Sequence, residues 1–108
     1  MATILPRNSK GTQPTIPTCV LELTVNNHPG VMSHICGLFA RRLFNVDGIL
    51  CMPTSDGETS RIWLRVDDGE RLDQMTRQIE KLQDVRAVRR HEADHEVFVR
   101  LEQFFQKG

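Results

Sequence analysis

The stretch Asn26-Asn27-His28-Pro29-Gly30-Val31-Met32 is where this chain is best equipped to hold a ligand. An alternating run, Cys19 to Val25, comes before it, and a run of helical periodicity from Val31 to Leu43 follows. The turn therefore sits where a strand hands over to a helix. The first N–H groups of a helix have no intrahelical partner, and the helix dipole places partial positive charge there. A carboxylate or phosphate suits that position. Gly30 has no Cβ to keep a ligand off the backbone, Pro29 suits a first helical position, and the Asn26 and Asn27 amides can donate and accept. Taken alone, the same residues also describe an ordinary helix start.

Other chemistry has less support. His28, His34, Cys36, His91 and His95 could ligate a metal, and His91 and His95 stand four apart, but no Cys-x-x-Cys spacing occurs. His34 and Cys36 are two apart and face different ways on a helix. Cys36 lies near an apolar stripe and has no evident base, which favours a buried structural thiol. No paired carboxylates or Ser-His-Asp pattern are evident, so we expect no catalytic residue and no metal site. Cys19, Cys36 and Cys51 are odd in number and widely spaced, which argues for reduced thiols in a cytoplasmic protein.

The elements that position the turn follow from periodicity. Leu21, Leu23 and Val25 share one face of a strand. Val31, Met32, Ile35, Leu38, Phe39 and Leu43 form a helical stripe. Phe44 to Thr54 reads as a second strand, with Gly48 marking a bulge or a close approach. Asp56-Gly57 closes a hairpin to a strand over 60–66, where Ile62, Leu64 and Val66 oppose Arg61, Trp63 and Arg65. Leu72, Met75, Ile79 and Leu82 mark a second helix, and a short strand spans 84–90.

The order is β-α-β-β-α-β. This is an α+β, ferredoxin-like fold: a four-stranded antiparallel sheet with two helices on one face. The other face would be bare. Trp63 and Val88, with Ile49 and Cys51, are expected there, covered most simply by a second copy.

Residues 1–18, rich in Pro and polar types, are expected to be a flexible leader, residues 19–92 the folded domain, and 93–108 a Phe-rich docking segment. Phe98, Leu101 and Phe105 would share a helix face. The segment could dock on its own domain, on a dimer mate or on another protein. Basic and acidic residues balance at 14 each, which argues against a grip on nucleic acid, and no apolar run approaches membrane-spanning length.

The run Leu21 to Met32, with Cys36-Gly37-Leu38-Phe39-Ala40-Arg41-Arg42 and Phe44-Asn45-Val46-Asp47-Gly48-Ile49-Leu50, resembles the small regulatory subunit of acetolactate synthase (acetohydroxyacid synthase), in its short form with a single ACT domain. The resemblance runs from about Cys19 to Arg90 and into the Phe-rich tail. It implies a homodimer that binds valine where ACT domains meet and partners a large catalytic subunit, activating it and conferring feedback inhibition. Thiamine diphosphate, magnesium and FAD would belong to that partner. The valine site would comprise Asn27, His28, Pro29, Gly30, Val31 and Met32, with Asn45, Val46 and Ile49, and Asn45 would reach across from the neighbouring chain. Trp63, Phe98, Leu101, Phe104 and Phe105 would serve docking. The alternatives are a stand-alone amino-acid-sensing ACT protein acting on another partner, or a small enzyme on the same scaffold.

Overall fold

The structure is a computed structural model that describes residues 2–4 and 17–106. Eight elements follow one another: β1 (Ala2–Ile4), β2 (Thr18–Asn26), α1 (Val31–Arg41), β3 (Val46–Pro53), β4 (Thr59–Asp67), α2 (Glu70–Glu80), β5 (Val85–His91) and α3 (Glu96–Gln106). The strands form one antiparallel sheet in the order β1-β3-β4-β2-β5. The βαββαβ unit read from periodicity is the core of this arrangement.

Two additions lie outside that unit. Ala2–Ile4, within the stretch expected to be a leader, pair with Gly48, Ile49 and Leu50 as a fifth strand, and Thr18 already belongs to β2. Residues 5–16 lie outside the described residues. Helix α3 is the second addition.

One face of the sheet packs against α1 and α2. Leu21, Leu23 and Val25 of β2 and Ile62, Leu64 and Val66 of β4 meet Val31, Ile35, Leu38 and Phe39 of α1 and Leu72, Met75 and Ile79 of α2. The stripe of α1 ends sooner than the spacing predicts. Arg42 caps the helix and Leu43 takes a left-handed φ of 58°, so Leu43 lies exposed outside the core. The hairpin forms at the expected turn, with Gly57 at φ 73° and the Thr54 N–H donating to the Thr59 carbonyl at 2.9 Å.

Two bulges correct the expected faces. Val46 pairs with Val66, but Gly48 pairs with Arg65, so Asp47 is an extra residue. One extra residue inverts the alternation beyond it. Ile49 and Cys51 therefore face α1 and α2 instead of the opposite side. On β5, Val85 pairs with Val25 and Ala87 with Thr24, leaving Arg86 as the extra residue. Val88 is turned to the helical core by the same logic.

The sheet's second face is covered by α3 of the same chain. Phe98 is fully buried there. Its ring lies so close to Gly48 that a Cβ on residue 48 would sit 2.6 Å from Cε1. Gly48 thus marks the close approach its place in a strand predicts. The Arg65 guanidinium lies 5.5 Å from the centre of the Phe98 ring, donates to Asp47 Oδ1 at 2.8 Å, and pairs with Glu102 of α3. Trp63 stacks on His91 and His95, with ring centres 5.4 and 4.8 Å away. His95 Nδ1 accepts the Val97 N–H at 3.1 Å and so caps the start of α3. Of the three docking possibilities for the tail, its first two turns take the chain's own domain.

This contact generates a coupled prediction. Phe98→Ala should cost roughly 3–5 kcal/mol by leaving a cavity. Gly48→Ala should cost about 1–3 kcal/mol by overpacking. Because both act on one contact, Gly48→Ala should cost distinctly less in the Phe98→Ala background. Urea unfolding of the four proteins measures the difference, and simple additivity would refute the contact.

Candidate functional site

The strand–helix turn leaves the start of α1 without a side-chain cap. Gly30 is the N-cap of α1 with φ 84°, and no side chain caps the helix. Nothing lies within 4 Å of where a Gly30 Cβ would be, so glycine is required here by backbone conformation and not by crowding. The first turn of α1 holds no acidic residue. Asn27, His28, Pro29 and Gly30 are exposed, Met32 is half-buried, and Val31 points into the core. Pro29 precedes the N-cap, two residues before Val31, the first helical position, where it was expected.

The flanking asparagines hold the turn in place. Asn26 Nδ2 donates to Asp84 at 3.2 Å, and Arg86 Nε donates to Asn26 Oδ1 at 2.6 Å. His28 Nδ1 lies 3.0 Å from the same Asp84 carboxylate. Asn27 Nδ2 donates to the Gly57 carbonyl at 3.0 Å, and its Oδ1 accepts from the Ser60 hydroxyl at 3.1 Å. Asn27 is therefore a strut to the β3–β4 hairpin, a role its sequence position did not announce. The second N–H of that amide still leaves a donor for a ligand.

Asn45, Val46 and Ile49 lie elsewhere. With Cys36, Phe39, Ala40, Phe44 and Leu64 they line a cleft of about 270 Å³ between α1 and β3. The cleft adjoins the last turns of α1, whereas Gly30 precedes the first. At about 1.5 Å per residue, Gly30 and Ala40 stand roughly 15 Å apart. One chain therefore does not bring the two groups of candidate residues together. The lining role of Cys36 was not foreseen, because its position near the apolar stripe carried only a packing signal.

The docking residues also divide. Phe98 is wholly consumed inside the domain and presents no surface to a partner. Trp63 is half-buried beneath His91 and His95, and Leu101 is half-buried. Phe104, 75% exposed, and Phe105, 49% exposed, remain presented to solvent at the end of α3.

Among the described residues, no three His, Cys, Asp or Glu side chains gather as metal ligands. Burial pushes the Cys19 thiol up to about 11, against a smaller lowering by Arg90, and burial followed by the neighbouring Cys51 raises Cys36. Such thiols are poor nucleophiles at neutral pH. Asp56 is held below the usual carboxylate range by the Thr54 hydroxyl and the Glu58 N–H, which stiffens the hairpin turn beside Asn27.

A βαββαβ sheet with two helices on one face is the ferredoxin-like architecture that ACT-type domains share. Residues 21–87 match the family model of the AHAS small subunit-like ACT domain. The chain is 59% identical over 87 residues to the acetolactate synthase isozyme 1 small subunit of Escherichia coli K12, spanning 81% of this chain and 91% of that one. It is 35% identical over 78 residues to the acetolactate synthase small subunit of Haemophilus influenzae, covering 70% of this chain and 48% of the longer relative. Among solved structures, the small subunit from Thermotoga maritima superposes with a TM-score of 0.63 at 24% identity, over 84% of this chain and 69% of that one. The ACT domain of GTP pyrophosphokinase from Chlorobium tepidum superposes at 0.60 and 17% identity, over 70% and 99%. The two superpositions establish the fold. The chain belongs to the acetolactate synthase small-subunit family, non-catalytic regulatory chains whose partner is a large catalytic subunit.

The Cys19 thiol predicts a pH dependence. Its folded value lies above the ordinary thiol value of 9.0, so the folded chain keeps this proton where the unfolded chain has lost it. The resulting stability is fully present below about pH 9 and is lost as the pH rises through about 11. Urea midpoints should fall more steeply over that window in the parent than in Cys19→Ala. Equal slopes would contradict the assignment.

Proposed function

We propose that this chain is the feedback sensor of its synthase: it binds valine between two copies, activates the large subunit, and transmits inhibition when valine accumulates. The observation that carries the reading is the uncapped, acid-free start of α1 behind Gly30, flanked by the Asn27 strut. The valine carboxylate would take backbone N–H groups around Gly30, Val31 and Met32, with Asn27 at its polar end and His28 and Pro29 bounding the turn. Asn45, Val46 and Ile49 would come from the second chain, which their separation from Gly30 within one chain favours. The side-chain pocket is small and apolar, so leucine and isoleucine would differ from valine by only about 1–3 kcal/mol.

Thiamine diphosphate, magnesium and FAD are assigned to the catalytic partner, and the assembly to the cytoplasm. Coupling between the valine site and a distant active centre is typically worth about 1–3 kcal/mol. Phe104 and Phe105, exposed on the helix that Phe98 anchors, are the docking residues in this reading.

Calorimetric titration of valine tests the sensor. Asn27→Ala and Asn45→Ala should each weaken binding by at least about tenfold, or about 1.4 kcal/mol. An equimolar mixture of the two variants should recover sites, because a mixed dimer has one intact pair of contributors. Failure of the mixture to recover any binding would exclude a site shared between chains. Phe104→Ser with Phe105→Ser should leave the thermal midpoint nearly unchanged and abolish activation of the catalytic subunit. Full activation by that variant would remove the tail from the docking surface.

A further inference from the structure

The two outer strands of the four-stranded βαββαβ sheet, β5 and β3, are treated very differently. The β5 edge, Val85–His91, carries Arg86, Arg89 and Arg90, all exposed. Such charges discourage another strand from adding to an edge. The β3 sequence, Val46-Asp47-Gly48-Ile49-Leu50-Cys51-Met52-Pro53, contains no Lys or Arg. Its single acid, Asp47, is turned inward to Arg65. An eight-residue, largely apolar strand without charged guards is the kind of edge that recruits a partner strand.

In this chain β1 covers that edge. Among the described residues, its cover spans three of the eight positions of β3: Ala2 opposite Leu50, Thr3 opposite Ile49, and Ile4 opposite Gly48. The cleft lined by Asn45, Val46 and Ile49 lies beside the same strand. An antiparallel pair of β3 strands about a two-fold axis is self-complementary, so a second copy satisfies the edge with no further sequence requirement.

We infer that β1 is an intramolecular cover that competes with a second copy of this chain for the β3 edge, so that its release governs pairing of two sheets and closure of the cleft beside Ile49. The inference rests on the two-chain site proposed above and adds the segment that regulates it. A three-residue strand makes few ladder bonds, so a longer β3–β3 ladder can displace it.

The test is the dimer dissociation constant, measured without valine by fluorescence-detected sedimentation down to nanomolar chain. Alternate N–H groups of a strand face its neighbour, so Thr3→Pro with Ile4→Pro removes whichever one donates to β3. This variant, and a second chain lacking residues 2–16, should each dimerise at least tenfold more tightly than the parent. Adding Met52→Lys, which places a charge on β3, should reverse the gain. An unchanged or weaker dimer in both variants, or a gain that Met52→Lys does not touch, overturns the inference. Valine calorimetry on the same proteins separates the two readings. Tighter dimers that bind no valine would uphold the β1 cover and sink the sensor, and saturable valine binding with an unaltered dimer constant would do the reverse.

Discussion

The buried Arg65 guanidinium is the constraint around which the second face of this sheet is arranged. A charge removed from water needs its donors satisfied, and Arg65 finds Asp47 on the neighbouring strand, Glu102 on α3, and the face of Phe98. Each partner imposes a local irregularity. Asp47 reaches the guanidinium only because β3 carries it as an extra residue in a bulge. Phe98 reaches its seat only because residue 48, next in the chain, has no side chain. The bulge, the glycine and the C-terminal helix thus form a single arrangement.

That arrangement determines what is left over for function. By turning Ile49 and Cys51 toward α1, the bulge places Ile49 in the wall of the cleft with Val46 and Asn45. By occupying the face where Trp63 lies, α3 takes away the surface on which a second sheet could stack. Association between copies is thereby directed toward the strand edges. Of these, β5 is guarded by arginines and β3 is covered by a short strand. The helix that closes the face carries Phe104 and Phe105 beyond its buried turns, so the element that completes the domain also presents two exposed aromatic side chains.

The glycine-headed start of α1 was legible because it depends on local chemistry. A glycine between an alternating strand and an amphipathic helix stands at φ 84° at the head of α1, and no distant side chain caps the helix there. The strut role of Asn27 was not legible. Its partners, Gly57 and Ser60, lie 30 and 33 residues away and meet it only when β2 and β4 align. The separation of Asn45 from Gly30 likewise depends on the length and direction of α1 in the folded chain.

Sequence by itself determined the order of the βαββαβ elements, the apolar stripes that bury one face of the sheet, the hairpin at Asp56-Gly57 and the family, because each rests on short-range periodicity or on contiguous motifs. Tertiary structure decided which way Ile49, Cys51 and Val88 point, since a single extra residue inverts a two-residue repeat and its position is set by the partner strand. It decided too that the Phe-rich tail folds back on its own sheet. An amphipathic helix specifies that it must be covered, and only the assembled face, with Arg65 awaiting a carboxylate and Gly48 leaving room for a ring, specifies where.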